Sequence, residues 1–88
     1  MELRIAERDC RDEQGIRHTF HYYLTVDTEE SPRFCMENYG VRIDEEHGAS
    51  TTVPAITTSA DRIDRLMTLL VDNLVGPTGL RDVLEDWL

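Results

Sequence analysis

Three histidines and two cysteines are the residues best suited to metal ligation, proton transfer or nucleophilic attack: His18, His21, His47, Cys10 and Cys35. On an extended strand His18 and His21 have opposite parity and face opposite sides, so they do not chelate one ion together. His47 lies in the acidic stretch Asp44-Glu45-Glu46-His47, which reads as a turn. A metal needs several ligands converging on one point with outer support, so no metal site is expected. The cysteines form no CxxC pair, which removes the thioredoxin-like motif and the paired-cysteine zinc set. Ser31, Ser50 and Ser59 fall in turns or caps with no nucleophile-elbow motif around them. Gly76-Pro77-Thr78-Gly79 lacks the lysine and the preceding strand of a phosphate loop. No catalytic constellation and no cofactor is therefore expected. The enzymatic or ligand-binding alternative would need the fold to gather His18, Cys35 and a carboxylate in one pocket.

The elements that must position these residues follow from hydrophobic periodicity. Residues 2–8 read as a short strand, with Leu3 and Ile5 on one side and Glu2, Arg4, Ala6 and Arg8 on the other. Residues 9–15 are polar and end in Gly15, a turn signal. Residues 16–26 alternate most clearly: Ile16, His18, Phe20, Tyr22, Leu24 and Val26 share one face, while Arg17, Thr19, His21, Tyr23 and Thr25 share the other. Residues 27–33 read as a polar connection. A third strand spans 34–44, but Phe34 and Met36 have one parity and Tyr39, Val41 and Ile43 the other. A regular strand cannot bury both sets on one face, so a bulge, kink or break is expected between Met36 and Val41, near Gly40. The competing resolution is exposure of Phe34 and Met36. Residues 45–50 form a turn. Residues 51–57 form a fourth strand that Pro54 confines to an edge.

The period then changes to that of a helix over 59–75, with Ile63, Leu66, Met67, Leu70, Val71 and Leu74 on one face. Thr58 with Asp61 resembles a capping box, and Ser59 is the rival N-cap. Asp61 and Arg65 stand in the favourable i,i+4 order. Gly76 and Pro77 end the helix, and Thr78 opens a last short one. The fold class is α+β: an antiparallel sheet of about four strands in meander order, then a helix and a short C-terminal helix packed on one face, all within one domain, 1–88.

Eighteen acidic residues stand against nine basic ones, all arginine, for a formal net charge of -9. The acids are spread along the chain rather than gathered in a tail. This balance opposes binding of nucleic acid or anionic membranes through a broad positive surface. The longest apolar runs, Leu69-Leu70-Val71 and Leu74-Val75, are far too short to span a bilayer. Charged residues interrupt the N-terminus, so a secretory signal is not expected. A reducing, cytoplasmic setting with both thiols free follows; a disulfide between Cys10 and Cys35 would require their strands to be neighbours. A second alternative function is an acidic inhibitor that mimics nucleic acid on a basic protein groove.

Candidate interaction residues are Tyr23, on the polar face of the second strand, and Leu80, Val83, Leu84 and Trp87, the apolar face of the last helix. That helix would be marginal alone, so it docks either on this protein's own core or in a partner's groove. A small sheet with two open edges is also expected to form a homodimer through an edge or an apolar face.

The stretches Tyr22-Tyr23-Leu24, Tyr39-Gly40-Val41-Arg42-Ile43 and Val75 to Leu88 resemble a family of small bacterial proteins, mainly from Gram-positive anaerobes, classed as a domain of unknown function. The resemblance spans about residues 16–88. It implies a cytoplasmic bacterial protein and brings no activity, ligand or catalytic residue. The leading functional expectation is a small non-enzymatic interaction or regulatory module with an unknown protein partner.

Overall fold

A computed structural model describes all 88 residues. Four strands, β1 (Glu2–Arg11), β2 (Arg17–Glu30), β3 (Cys35–Glu45) and β4 (Ser50–Thr57), form one antiparallel sheet in the order β1-β2-β3-β4. Helix α1 (Ala60–Asp72), a 3-10 turn (Pro77–Gly79) and helix α2 (Leu80–Trp87) follow. This is the expected α+β meander with both helices on one face.

The core lies between that face and the helices. Phe20, Tyr22, Val41 and Ile43 meet Ile63, Leu66, Met67, Leu70, Leu80 and Leu84 there, with Leu24, Tyr39, Val53 and Ile56 packed around them. The alternation read along β2 therefore holds: even-numbered residues face the helices.

Strand β1 departs from its expected parity. Arg4 stands opposite Tyr23 and Ala6 opposite Tyr22, so Ile5 is an extra residue, a β-bulge. Leu3 faces the helix side opposite Leu24, and beyond the bulge Ala6, Arg8 and Cys10 take that side. Leu3 and Ile5 do not form the buried side together; both are exposed. The strand also runs on to Arg11, three residues past the expected end.

An irregularity falls in the expected window, between Tyr39 and Val41, but in the β3–β4 ladder and not in the pairing of β3 with β2. The β2–β3 ladder runs from Phe20 opposite Glu45 to Glu30 opposite Cys35 without a shift. Phe34 lies outside the strand and is exposed, and Met36 is half-buried. The irregularity sits on the other side of β3, in β4. Tyr39 pairs with Thr57 and Val41 with Val53, so the single residue Gly40 of β3 faces three of β4, Pro54, Ala55 and Ile56. Ala55, within this bulge, has a φ of 53°. Gly40 lies under it: a Cβ there would stand 2.5 Å from the Val53 carbonyl oxygen and 2.7 Å from the Pro54 Cα. The glycine serves the close approach of β4's backbone rather than a kink in its own strand.

Residues 27–33, expected as a connection, mostly continue β2. Asp27, Thr28, Glu29 and Glu30 pair with Asn38, Glu37, Met36 and Cys35. No third strand flanks these four pairs, because β1 stops at Glu2 opposite Thr25 and β4 at Thr57 opposite Tyr39. They form a two-stranded ribbon extending about 14 Å from the body at the usual rise per residue. The molecule measures 55 × 25 × 16 Å. Its accessible surface of 5874 Å² exceeds the roughly 5,300 Å² of a compact chain of this mass. A Ser-Pro turn closes the ribbon: Ser31 N donates to the Phe34 carbonyl at 2.8 Å, and the Ser31 hydroxyl accepts from Phe34 N at 3.2 Å. Ser at the first position and Pro at the second suit this turn.

Ser59, not Thr58, caps α1; its hydroxyl accepts from Arg62 N at 3.2 Å. No Asp61–Arg65 ion pair forms. The helix ends at Asp72, three residues before the expected end, because Leu74 takes a left-handed conformation with a φ of 53°. Val75 N then donates to the Leu70 carbonyl at 3.0 Å and Leu74 N to that of Val71 at 3.3 Å, the Schellman pattern with leucine where glycine is usual.

Candidate functional site

The helices cover one face of the sheet and leave the other open. Across it run Glu2, Arg4, Glu7, Asp9 and Arg11 from β1, and Thr19, His21, Tyr23 and Thr25 from β2. From β3 come Arg42 and Asp44, with Ser50 and Thr52 from β4 opposite them. The Arg42 guanidinium lies 4.6 Å from the centre of the Tyr23 ring, a cation–π contact. It also donates to Glu2 at 2.6 Å and chelates Asp44, which accepts from Ser50 as well. The Arg42 hydrogen bonds hold the Asp44 carboxyl below the usual carboxylate range. A second knot forms at Asp9, which accepts from Thr19 at 2.8 Å and Arg17 at 2.7 Å and is likewise held low, Thr19 contributing most. Tyr23 is thus half-buried under Arg42 and contributes to an ordered polar face. Beneath it Thr25 Oγ1 and His21 Nδ1 are buried without hydrogen-bond partners; Nδ1 stands 3.8 Å from Glu7.

The open face continues onto the ribbon. Asp27, Glu29, Glu30 and Glu37 are exposed there against the single base Arg33. Phe34 at the tip is 55% exposed. Cys35 beside it is exposed and free.

His18 faces the helix side at the opposite end of the sheet. Its Nε2 stands 2.9 Å from Asp12 and its Nδ1 3.3 Å from Glu45. The Asp12 hydrogen bond is the main reason its pKa is raised above the ordinary histidine value. Eleven residues of β2 separate His18 from Glu30, the partner of Cys35, so the fold keeps His18 and Cys35 far apart. His18 and His21 lie on opposite faces, as their parity required, and His47 sits in the β3–β4 turn. Cys10 and Cys35 are free, on strands that are not neighbours. No group of three or more His, Cys, Asp or Glu side chains is placed to hold a metal ion.

The four candidates on α2 divide. Leu80 and Leu84 are core residues. Val83 and Trp87 are half-buried, packed against the core. Arg62 of α1 lies 4.5 Å over the Trp87 ring. Helix α2 therefore docks on this protein's own core. What it leaves outside is a crevice of about 340 Å³ lined by Leu69, Val83, Asp86 and Trp87.

The model of one protein family matches residues 1–88. The chain belongs to the family of unknown function DUF6514. The match extends through β1, which the resemblance read from the sequence did not cover. No curated protein and no solved structure matches the chain. No helix of DUF6514 as represented by this chain is long and apolar enough to cross a membrane.

Proposed function

We propose that this protein is a small non-enzymatic interaction or regulatory module of the bacterial cytoplasm, and that the β2–β3 ribbon is its contact element for a protein partner. The observation that carries this reading is Phe34, 55% exposed at the tip of a ribbon with no flanking strand. Isolated two-stranded ribbons are marginal in water, and an apolar tip on one gains stability when a partner covers it. The carboxylates along the ribbon suit a partner with a basic surround and disfavour nucleic acid. The separation of His18 from Cys35 supports a binding role over a His/Cys/acid enzyme. Self-association through a sheet edge belongs to the same reading.

The test is affinity capture from the native host at low and high salt, with the intact chain and with Phe34→Ser as baits. The expected result is a captured protein, weakened by salt and lost with Phe34→Ser, while the melting temperature of the variant is unchanged. An identical capture set for both baits would refute the ribbon's role. Absence of any salt-sensitive capture would refute the interaction reading.

A further inference from the structure

We propose that β1 pairs with β1 of a second copy, antiparallel about a dyad perpendicular to the sheet, joining the two four-stranded sheets edge to edge. The proposal rests on the self-association reading above and assigns its surface and register.

The chain has two sheet edges, and they differ. On β4, Pro54 lacks an N–H and the backbone is displaced at Ala55, features that blunt an edge. Strand β1 offers ten residues, Glu2–Arg11, with no proline and no strand or loop paired along its outer side. Its composition is unlike the rest of the chain. The protein carries a net charge of -9, yet in β1 the acids Glu2, Glu7 and Asp9 balance the bases Arg4, Arg8 and Arg11. Two copies therefore meet there without the repulsion that other surfaces would impose. Leu3 and Ile5 on this edge are 44% and 48% exposed.

The bulge admits a register in which opposite charges meet across the seam. About a dyad perpendicular to the sheet, paired residues must share a face, so a regular strand pairs only positions of equal parity with itself. Glu2 and Arg11, or Arg4 and Asp9, differ in parity and would never meet in a regular strand. The extra residue at Ile5 reverses the parity beyond it, and Glu2, Arg4, Glu7, Asp9 and Arg11 all lie on the open face. Counting Arg4 and Ile5 as one position, as β2 does, Glu7 falls on the dyad. Glu2 then faces Arg11 of the second copy, Arg4 faces Asp9, and on the helix side Leu3 faces Cys10. By symmetry each pair occurs twice, giving four opposite-charge pairs and two apolar ones. At the dyad the two Glu7 carboxylates are each accompanied by Arg4 of their own copy, 3.2 Å away.

The test uses light scattering of the full chain from micromolar to millimolar concentration, with Arg4→Glu and Asp9→Arg. The expected result is a dimer for the unaltered chain and a dissociation constant raised about tenfold or more in each variant, since two attractive cross-strand pairs become repulsive. An equimolar mixture of the two variants restores the dimer, because both 4–9 pairs are then opposite in charge. A monomer for the unaltered chain across the range overturns this proposal and the self-association reading together. A dimer indifferent to both reversals, or a mixture of folded variants that stays monomeric, overturns the β1 seam alone. Asp9 also holds Thr19 and Arg17, so its variant can lose the fold. Amide hydrogen exchange on the unaltered chain decides independently. Protection that rises with concentration along β1 supports the seam, and protection rising only elsewhere refutes it.

Discussion

Arg8 on the edge strand donates from Nη1 to the Val71 carbonyl oxygen at 3.0 Å. The contact joins β1 to the last turn of α1. That turn contains no basic residue of its own, and its carbonyls carry the negative end of the helix dipole. The sheet supplies the missing cation. Arg8→Met keeps the aliphatic stem and removes the donor. It is expected to lower stability by about 1–2 kcal/mol, the range for losing a charged hydrogen bond to a helix end. Urea unfolding monitored by circular dichroism measures this, and an unchanged midpoint would show that the Leu74 N–H and water satisfy the Val71 carbonyl equally well.

Tyr22 reaches the same helix end, its hydroxyl donating to the Val75 carbonyl at 2.9 Å. Burial pushes its pKa up to about 12, against a small opposing pull from Arg8. The folded value lies above the unfolded one, so the neutral phenol contributes stability below pH 10 that is lost as pH rises toward 12. Absorbance titration of the phenolates should find Tyr22 ionising last and together with unfolding. Tyr22→Phe should remove that alkaline step and cost about 1 kcal/mol at neutral pH. A Tyr22 that titrates at the ordinary phenol value in the folded protein would contradict this.

The Asp12–His18–Glu45 bridge predicts an acid-side window. His18 is raised and Asp12 is lowered, each chiefly by the hydrogen bond to the other. The His18 contribution is present below about pH 6.5 and is lost as pH rises through its raised folded value. The Asp12 contribution is present above its ordinary value and is lost as pH falls below it. The bridge therefore stabilises most between these limits. Asp12→Asn should return the His18 imidazole toward the ordinary value in an NMR titration, and should lower the melting temperature more at pH 5.5 than at pH 8.5. Equal losses at both pH values would mean the ion pair contributes nothing.

Gly40→Ala tests the packing of β4. The added methyl meets backbone on its far side, the Val53 oxygen and Pro54 Cα, which a rotamer change cannot relieve. A loss of about 1–3 kcal/mol is expected, as for overpacking elsewhere, and chemical shifts should move along β4 rather than at the ribbon. Changes centred on the ribbon would place the strain in β3 instead.

Residues that answer to one partner surface were legible in the sequence. Phe20, Tyr22 and Val26 alternate because one side of β2 is covered, and Ile63, Leu66, Met67 and Leu70 recur because one side of α1 is covered. Features set by a second backbone were not. Ile5 as an extra residue carries no Gly or Pro mark, so β1 read as regular and its sides were inverted beyond Arg4. Gly40 gave a correct signal of irregularity, but the irregular strand is the neighbour that passes over it. Leu74 ends α1 in a conformation that leucine disfavours, so Gly76 looked like the stop. The acids of 27–30 resemble a loop because their strand has no covered face to demand alternation. Of the candidate site, Tyr23 was legible by parity; the ribbon and Phe34's place at its tip were hidden by that same lack of pattern.

The unbroken β2–β3 ladder makes the reach of the ribbon adjustable in discrete steps. Removing one cross-strand pair, such as Glu29 with Met36, would shorten it by about 3.4 Å and turn the tip to the opposite side of the sheet, because successive residues alternate in direction. Removing two pairs would shorten it by about 7 Å and return Phe34 to its original side. Related chains could thus change the span between body and tip in paired increments, with the core and the helices left as they are.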